Sequence, residues 1–335
     1  MKNRKLMNLL YLLIISSMIF FNVGCSEDET VTPPPVTINE TEELIKYLEG
    51  TDGGYINNAA PAIVPASAIN TDILAGANIT VIDVRSAADY ALGHIQGAVN
   101  VAIADIVTYY KNNNLSSKTK VYVTCYTGQS AGLAVAALRL SGYTNVFNLK
   151  WGMCSWAYPT SWNNAKTYGI TNPITKQTTA NVKNSAGNLP TLSTGKTTGA
   201  EIFESRLATV LTEGFSAISI TRETLYANLA NYYIVNYWPV AEYDQGHVEG
   251  AIQYTPKSDL KLATFLKTLP TNKTIVVYCY TGQTSAQVAT FLKLLGYDAK
   301  TLSFGANRLF YDTMPANTSR WDFGTDICMN YPVVL

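Results

Sequence analysis

The pentapeptide Cys-Tyr-Thr-Gly-Gln occurs twice, at residues 125–129 and 279–283, and its surroundings repeat with it. Each copy follows a β-branched and aromatic run, Val121–Thr124 and Ile275–Tyr278, and precedes an apolar-rich segment ending in Gly-Tyr, at 142–143 and 296–297. The pattern reads as strand, tight loop and helix. A cysteine at the C-terminal end of a parallel strand, just before a helix N-terminus, lies where backbone N–H groups and the helix dipole converge, a setting that favours a thiolate and holds an anion. A single cysteine so placed can be an inert, buried small hydrophobe. Burial alone does not explain why the turn chemistry is copied along with the cysteine.

The repeat extends well beyond the loop. Ile79–Arg85 is a strand by β-propensity that ends in Asp83 and Arg85; the second copy places Ile234–Trp238 there, with Asn236-Tyr237-Trp238 against Asp83-Val84-Arg85. The stretch from Asp89-Tyr90 to Gly93-His94, a short helix and turn, has its counterpart from Glu242-Tyr243 to Gly246-His247. The period is about 153 residues, an internal duplication. Thr41 caps an expected opening helix over Thr41–Leu48, and Phe203–Leu211 mirrors it. Ala68–Leu74 reads as a short helix, Leu115–Lys118 as a connection, and Val146–Leu149 as a strand leading to Trp151-Gly152. Alternating strands and helices predict two α/β domains, each a small parallel sheet flanked by helices, with any site on loops at the strand C-terminal ends. They are expected over residues 38–170 and 199–335. The 171–198 linker between them has almost no periodic apolar pattern and is long enough to wrap one domain across the other.

Lys2, Arg4 and Lys5, the mostly apolar Leu9–Phe21 and Val23-Gly24-Cys25 make residues 1–25 a targeting segment, too short for a comfortable membrane span. Its end resembles the lipobox of bacterial lipoproteins, with Asn22 where that pattern has an aliphatic residue. The resemblance implies lipidation at Cys25; the other reading is a plain secretory signal whose cysteine is incidental. Residues 26–37 form an acidic, proline-rich tether, S-E-D-E-T-V-T-P-P-P-V-T. The acidic run after the cysteine resembles the surface-export signal of Bacteroidetes-type lipoproteins. The expected location is the bacterial cell envelope, lipid-anchored, on the outer membrane facing the periplasm or the cell surface. Only 14% of residues are charged while Tyr reaches 22 copies, so neutral polar groups keep the surface soluble, and no basic block offers a nucleic-acid partner.

Asp83-Val84-Arg85, D-Y-x-x-G-H-I-x-G-A at 89–98 and C-Y-T-G-Q-S at 125–130, in that order and spacing, resemble a rhodanese domain. E-Y-x-x-G-H-V-x-G-A at 242–251 and C-Y-T-G-Q-T at 279–284 resemble a second. The resemblance covers roughly residues 40–170 and 200–320. It implies sulfurtransferase chemistry through a cysteine persulfide in a six-residue loop, with Cys125 and Cys279 in the catalytic place. A small sulfur-containing anion or thiol is the implied partner, and no cofactor is expected.

The residues support that role independently. Loop N–H groups of Tyr126, Thr127, Gly128, Gln129 and Ser130, completed by the Ser130 hydroxyl, are expected to donate to a persulfide anion as an oxyanion hole does. Gly128 lets the backbone curl inward. Tyr280, Thr281, Gly282, Gln283 and Thr284 offer the same donors in the second loop, with Thr284 in the place of Ser130. Neither loop contains Arg or Lys, so thiosulfate, a dianion, lacks its natural guanidinium clamp there. Ala131 and Ser285 stand where a cysteine phosphatase needs arginine, which argues against phosphate chemistry. Asp83 and Arg85 are read as organising loops. His94 and His247 can be read as bases for the cysteines, but in the resembling family this histidine lies in a structural turn. No ligand spacing suggests a metal site. Cys154 and Cys328 complete the thiols. Cys154 is either a resolving partner for Cys125 or a buried thiol. Two function classes stay open: a sulfurtransferase, or a noncatalytic anion-binding, partner-binding or thiol-redox module using the same loops. Cys125 keeps more of the family pattern around it, while the family habit of an active C-terminal domain favours Cys279.

Overall fold

A computed structural model describes residues 38–314, 319–323 and 328–335; the targeting segment with Cys25 and the 26–37 tether lie outside the described residues. The first repeat runs α1 (Glu40–Glu49), β1 (Ile63–Val64), α2 (Ala66–Leu74), β2 (Ile79–Asp83), α3 (Ala87–Ala91), β3 (Ala98–Asn100), α4 (Ile106–Asn112), β4 (Lys120–Thr124), α5 (Gln129–Leu140), β5 (Val146–Leu149), α6 (Met153–Trp156) and α7 (Thr160–Thr171). The second runs α8 (Gly199–Ala217), β6 (Ser219–Ile220), α9 (Arg222–Ala227), β7 (Tyr232–Asn236), α10 (Val240–Tyr243), β8 (Ile252–Gln253), β9 (Thr274–Tyr278), α11 (Gln283–Leu294), β10 (Ala299–Leu302) and α12 (Ala306–Leu309).

The opening helix starts earlier than Thr41. Asn39 is the cap, its side chain accepting from Glu42 N, and Glu40, Glu42 and Glu43 fill the first turn, where carboxylates complement the helix dipole. Thr41 lies inside the helix and its buried hydroxyl donates to Pro190 O at 2.7 Å, fastening the interrepeat linker.

Each repeat forms a five-stranded parallel sheet, in the orders β1-β5-β4-β2-β3 and β6-β10-β9-β7-β8. β2 and β4 pair in register from Ile79 opposite Lys120 to Asp83 opposite Thr124. From β2 the chain moves outward to β3, then crosses back to β4 and β5 on the other side. The C-terminal ends of β2 and β4 therefore flank the crevice where an open α/β sheet binds ligands. Asp83 ends β2 and Cys125 follows β4; in the second sheet Asn236 and Cys279 take those places.

α5 is apolar from Ala131 to Leu138 because both of its faces are covered there, one by its own sheet and the other by α11. Gly132 makes the close approach possible: a Cβ there would lie 2.9 Å from Gln283 O and 3.2 Å from the Ala286 Cβ. Leu133, Val135 and Leu138 are fully buried, each contributing about 1.5–3 kcal/mol relative to exposure. A tryptophan cluster spans the join, with Trp162 edge-on to Phe304 at 5.0 Å and Trp151 edge-on to Trp321 at 5.4 Å.

The repeats also exchange straps. The linker after α7 crosses to the second repeat, where Gln177 and His247 form an antiparallel bridge and Lys183 meets Asp259 at 3.1 Å. The C-terminal segment returns to the first repeat in the matching way. Val334 bridges His94, Tyr331 N donates to Trp156 O at 2.9 Å, and Trp156 Nε1 donates to Pro332 O at 2.9 Å. Asn39–Leu335 accordingly form one compact unit. No helix among the described residues is long and apolar enough to cross a membrane.

Candidate active site

Cys125 is 3% exposed and sits where β4 turns into α5. Gly128 adopts φ 78°, which only glycine takes without strain, and this left-handed residue folds the loop back over the sulfur. Gly128 N and Ala131 N donate to Cys125 Sγ at 3.1 and 3.4 Å. Asn148 Nδ2 holds Gly128 O at 2.9 Å and Trp162 Nε1 holds Thr127 O at 3.2 Å, so the loop is braced from the next strand and from α7.

The second loop has the same backbone and different company. Gly282 has φ 74°, and Ser285 N donates to Cys279 Sγ at 3.4 Å. Cys279 in turn donates to Ser285 Oγ at 3.5 Å, and Ser285 Oγ and Thr301 Oγ1 share a hydrogen bond at 2.7 Å. Among the described contacts N–H donors alone bond the Cys125 sulfur, whereas the hydroxyls of Ser285 and Thr281 also face Cys279.

Several expected roles shift in detail. Neither the Ser130 hydroxyl nor that of Thr284 bonds the sulfur of its loop among the described contacts. The hydroxyls that meet Cys279 Sγ belong instead to Ser285, one position later and turned toward the cysteine by the first turn of α11, and to Thr281 at 3.9 Å. Comparing the loops position by position, Ala131 against Ser285, carried that signal. Of the expected loop N–H donors, only that of Gly128 bonds its cysteine sulfur among the described contacts. The side-chain amides of Gln129 and Gln283 turn across the join, Gln129 Oε1 accepting from Phe304 N at 2.8 Å and Gln283 Oε1 from Trp151 N at 3.3 Å.

Asp83 and Arg85 form a buried ion pair beside the first loop. Arg85 Nε and Nη2 donate to the Asp83 carboxylate at 2.7–3.0 Å, and Nη2 also donates to Gly93 O at 2.8 Å. Burial works against the guanidinium charge, but the Asp83 bonds hold its pKa above the ordinary value. Arg85 Cζ lies 5.0 Å from the Tyr126 ring centroid, and its buried Nη1 has no hydrogen-bond partner among the described residues. A cavity of about 360 Å³ opens here, lined by Arg85, Leu92, Tyr126, Tyr158, Thr160 and Ser161. Asn100 Nδ2 ties the end of β2 by donating to Asp83 O and Arg85 O, both at 2.9 Å, a role the sequence did not announce.

At the matching place in the second repeat, Trp238 lies flat on Tyr280 with ring centroids 4.5 Å apart, and Asn236 Nδ2 donates to Tyr278 OH at 2.7 Å. Tyr126 and Tyr280 keep one feature in common: their hydroxyls donate to Asp89 and Glu242, the paired acids of the two helix-turn motifs. His94 and His247 stack on Tyr90 and Tyr243, and each Nδ1 meets the carbonyl of that tyrosine at 3.1 and 3.0 Å. These bonds place both rings in the turn.

Cys154 is fully buried in α6 and burial pushes its thiol up to about 11. Cys154 N donates to Tyr126 O at 3.0 Å, so the residue supports the loop through its backbone. Cys328 is free and partly exposed. No cluster of three metal-ligating side chains occurs among the described residues.

A parallel α/β sheet with a cysteine loop at its switch point, present twice in one chain, defines a tandem of cysteine-loop domains. The family model for the rhodanese-like domain matches residues 70–158 and 221–308, more than half of the chain. The chain belongs to the rhodanese-like domain family, as a tandem. It is 35% identical over 81 residues to the thiosulfate sulfurtransferase GlpE of Pseudomonas entomophila (strain L48), an alignment covering 24% of this chain and 72% of that protein. Against YrkF of Bacillus subtilis (strain 168) the identity is 22% over 116 residues, covering 34% of this chain and 62% of that one. The crystal structure of a thiosulfate sulfurtransferase from Pseudomonas aeruginosa aligns over 88% of this chain and 49% of that one, with 16% identity and a TM-score of 0.30.

Proposed function

We propose that the chain is a sulfurtransferase that carries a sulfane sulfur as a persulfide on Cys125. The observation that supports this most directly is the pair of N–H donors on Cys125 Sγ, from Gly128 and Ala131, with no acceptor bonded to the sulfur among the described contacts. Donors fixed in advance around a sulfur anion act as an oxyanion hole does. The Cys125 thiolate attacks the outer sulfur of thiosulfate or a polysulfide. The Sγ–S bond forms as the donor S–S bond breaks, and sulfite or a shorter thiol leaves with the bonding electron pair. A nucleophilic acceptor then takes the terminal sulfur and the thiolate returns. Arg85, its charge already paired with Asp83, lines the cavity beside the loop and offers there a guanidinium that the loop itself lacks.

Intact-mass measurement after exposure to thiosulfate or polysulfide tests this. A gain of about 32 Da, removable by cyanide and lost in Cys125→Ser, is the expected result for a covalent sulfur intermediate. No such adduct with any donor, together with an oxidative loss of two protons mapped to Cys125 and Cys154, would make the chain a thiol-redox module instead. No change of mass under either condition would leave anion or partner binding.

We propose further that the chain is anchored in the bacterial cell envelope through a lipid on Cys25. Cys25→Ala should move it from the membrane to the soluble fraction; retention at the membrane would rule the anchor out.

A further inference from the structure

The two cysteine loops lie back to back at the join, and each sends a glutamine into the other repeat. Gln283, fully buried, accepts from Trp151 N and donates through Nε2 to Leu149 O, both at 3.3 Å. Gln129 accepts from Phe304 N at 2.8 Å. Trp151 and Phe304 occupy the same place in the two copies, and both have positive φ, 65° and 63°. That backbone is costly for an aromatic residue and persists only where its surroundings fix it.

These strained turns are the supports of the cysteine loops. After Trp151, Met153 N and Cys154 N donate to Cys125 O and Tyr126 O at 2.8 and 3.0 Å; after Phe304, Ala306 N and Asn307 N donate to Cys279 O and Tyr280 O at 3.1 and 3.2 Å. Gly152 and Gly305 lie so close that an added Cβ would stand 2.3 Å from Cys125 O and from Cys279 O respectively. Contact is also direct: a Cβ on Gly128, whose N–H points at Cys125 Sγ, would fall 1.7 Å from Gln283 Nε2, and one on Gly282 would fall 2.5 Å from Gln129 Oε1.

From this arrangement we infer that the glutamines are positioning residues exchanged between the repeats: Gln283 sets the loop of Cys125, and Gln129 sets that of Cys279. Each repeat thus carries part of the other's site. The inference rests on the reading that both loops present a reactive thiol, but not on sulfur transfer, because alkylation needs only a nucleophilic sulfur.

The test is the rate of iodoacetamide alkylation at each cysteine of the full chain, resolved by peptide mass spectrometry, in wild type, Gln283→Met and Gln129→Met, with thermal melting as the check on folding. Gln283→Met, which fills the space without the amide, should change the rate at Cys125 by about 3–10-fold, the factor one hydrogen bond delivers, while Cys279 changes less than about 2-fold. Local damage would show the opposite order, since Gln283 belongs to the Cys279 loop. In Gln129→Met the Cys279 rate should move at least as far as that of Cys125. If either variant fails to fold, the other reads the same exchange. An effect confined to the cysteine of the mutated loop, or no effect at either, would overturn the inference.

Discussion

The mouth of the first loop is charged and open, and that of the second is aromatic and covered. Arg85 lines a cavity with its Nη1 unpartnered among the described residues, whereas Trp238 in the same place is stacked on Tyr280. The difference continues at the sulfurs, where Ala131 in one copy answers to Ser285 in the other. Backbone geometry was retained in both copies, since φ at Gly128 and Gly282 differs by only a few degrees. The duplication therefore preserved the device that presents a cysteine and let the chemistry around it diverge.

The largest effect should separate the cysteines. With thiosulfate and cyanide as substrates, Cys125→Ser should lower thiocyanate formation by about 10³-fold, about 4 kcal/mol of barrier, while Cys279→Ser stays within about 3-fold of wild type. Equal losses would break the comparison, and a larger loss in Cys279→Ser would invert it.

Next comes the ion pair that only the first repeat contains. Arg85→Met strands the buried Asp83 carboxylate and should cost about 3 kcal/mol in denaturant unfolding. Adding Asp83→Asn should restore much of that, because the charge left without a partner disappears. A single variant as stable as wild type would mean that the pair contributes no more than Asn236 and Trp238 do opposite.

The smallest effect concerns the hydroxyl. Ser285→Ala should raise alkylation of Cys279 about 3-fold, and Ala131→Ser should lower that of Cys125 by a similar factor, each exchanging one hydrogen bond. Unchanged rates in both would show that the divergence at the sulfurs is without chemical effect.

Much of this was legible in the chain. The strand, loop and helix around each cysteine follow from β-branched runs, one glycine and an apolar segment, and those local signals agree with the parallel sheets observed. Asp83 and Arg85 could be read as loop organisers because an acid and a base two residues apart at a strand end readily pair. Side-chain direction at the join was not legible. The chain names the loop N–H groups of Gln129 and Gln283 but not the reach of their side chains across the join, since only the packing of α5 against α11 decides which way the first residue of a helix points. Thr41 and Asn39 are both cap-forming residues two positions apart, and the choice fell to the acidic first turn. The length of the 171–198 linker allows a strap across the other domain, but the partners of both straps are not legible, for a related reason: single bridges such as Val334 to His94 leave no periodic pattern to find.

The strap at the C-terminus has a consequence for the order in which the molecule is made. Chains fold as they are synthesised, N-terminal parts first, yet the bonds that cover the His94 turn and Trp156 come from Tyr331, Pro332 and Val334. The first repeat is thus the earliest to take shape and the last to be finished. A stop codon after Cys328 would injure that repeat, rather than the one from whose end the residues were lost.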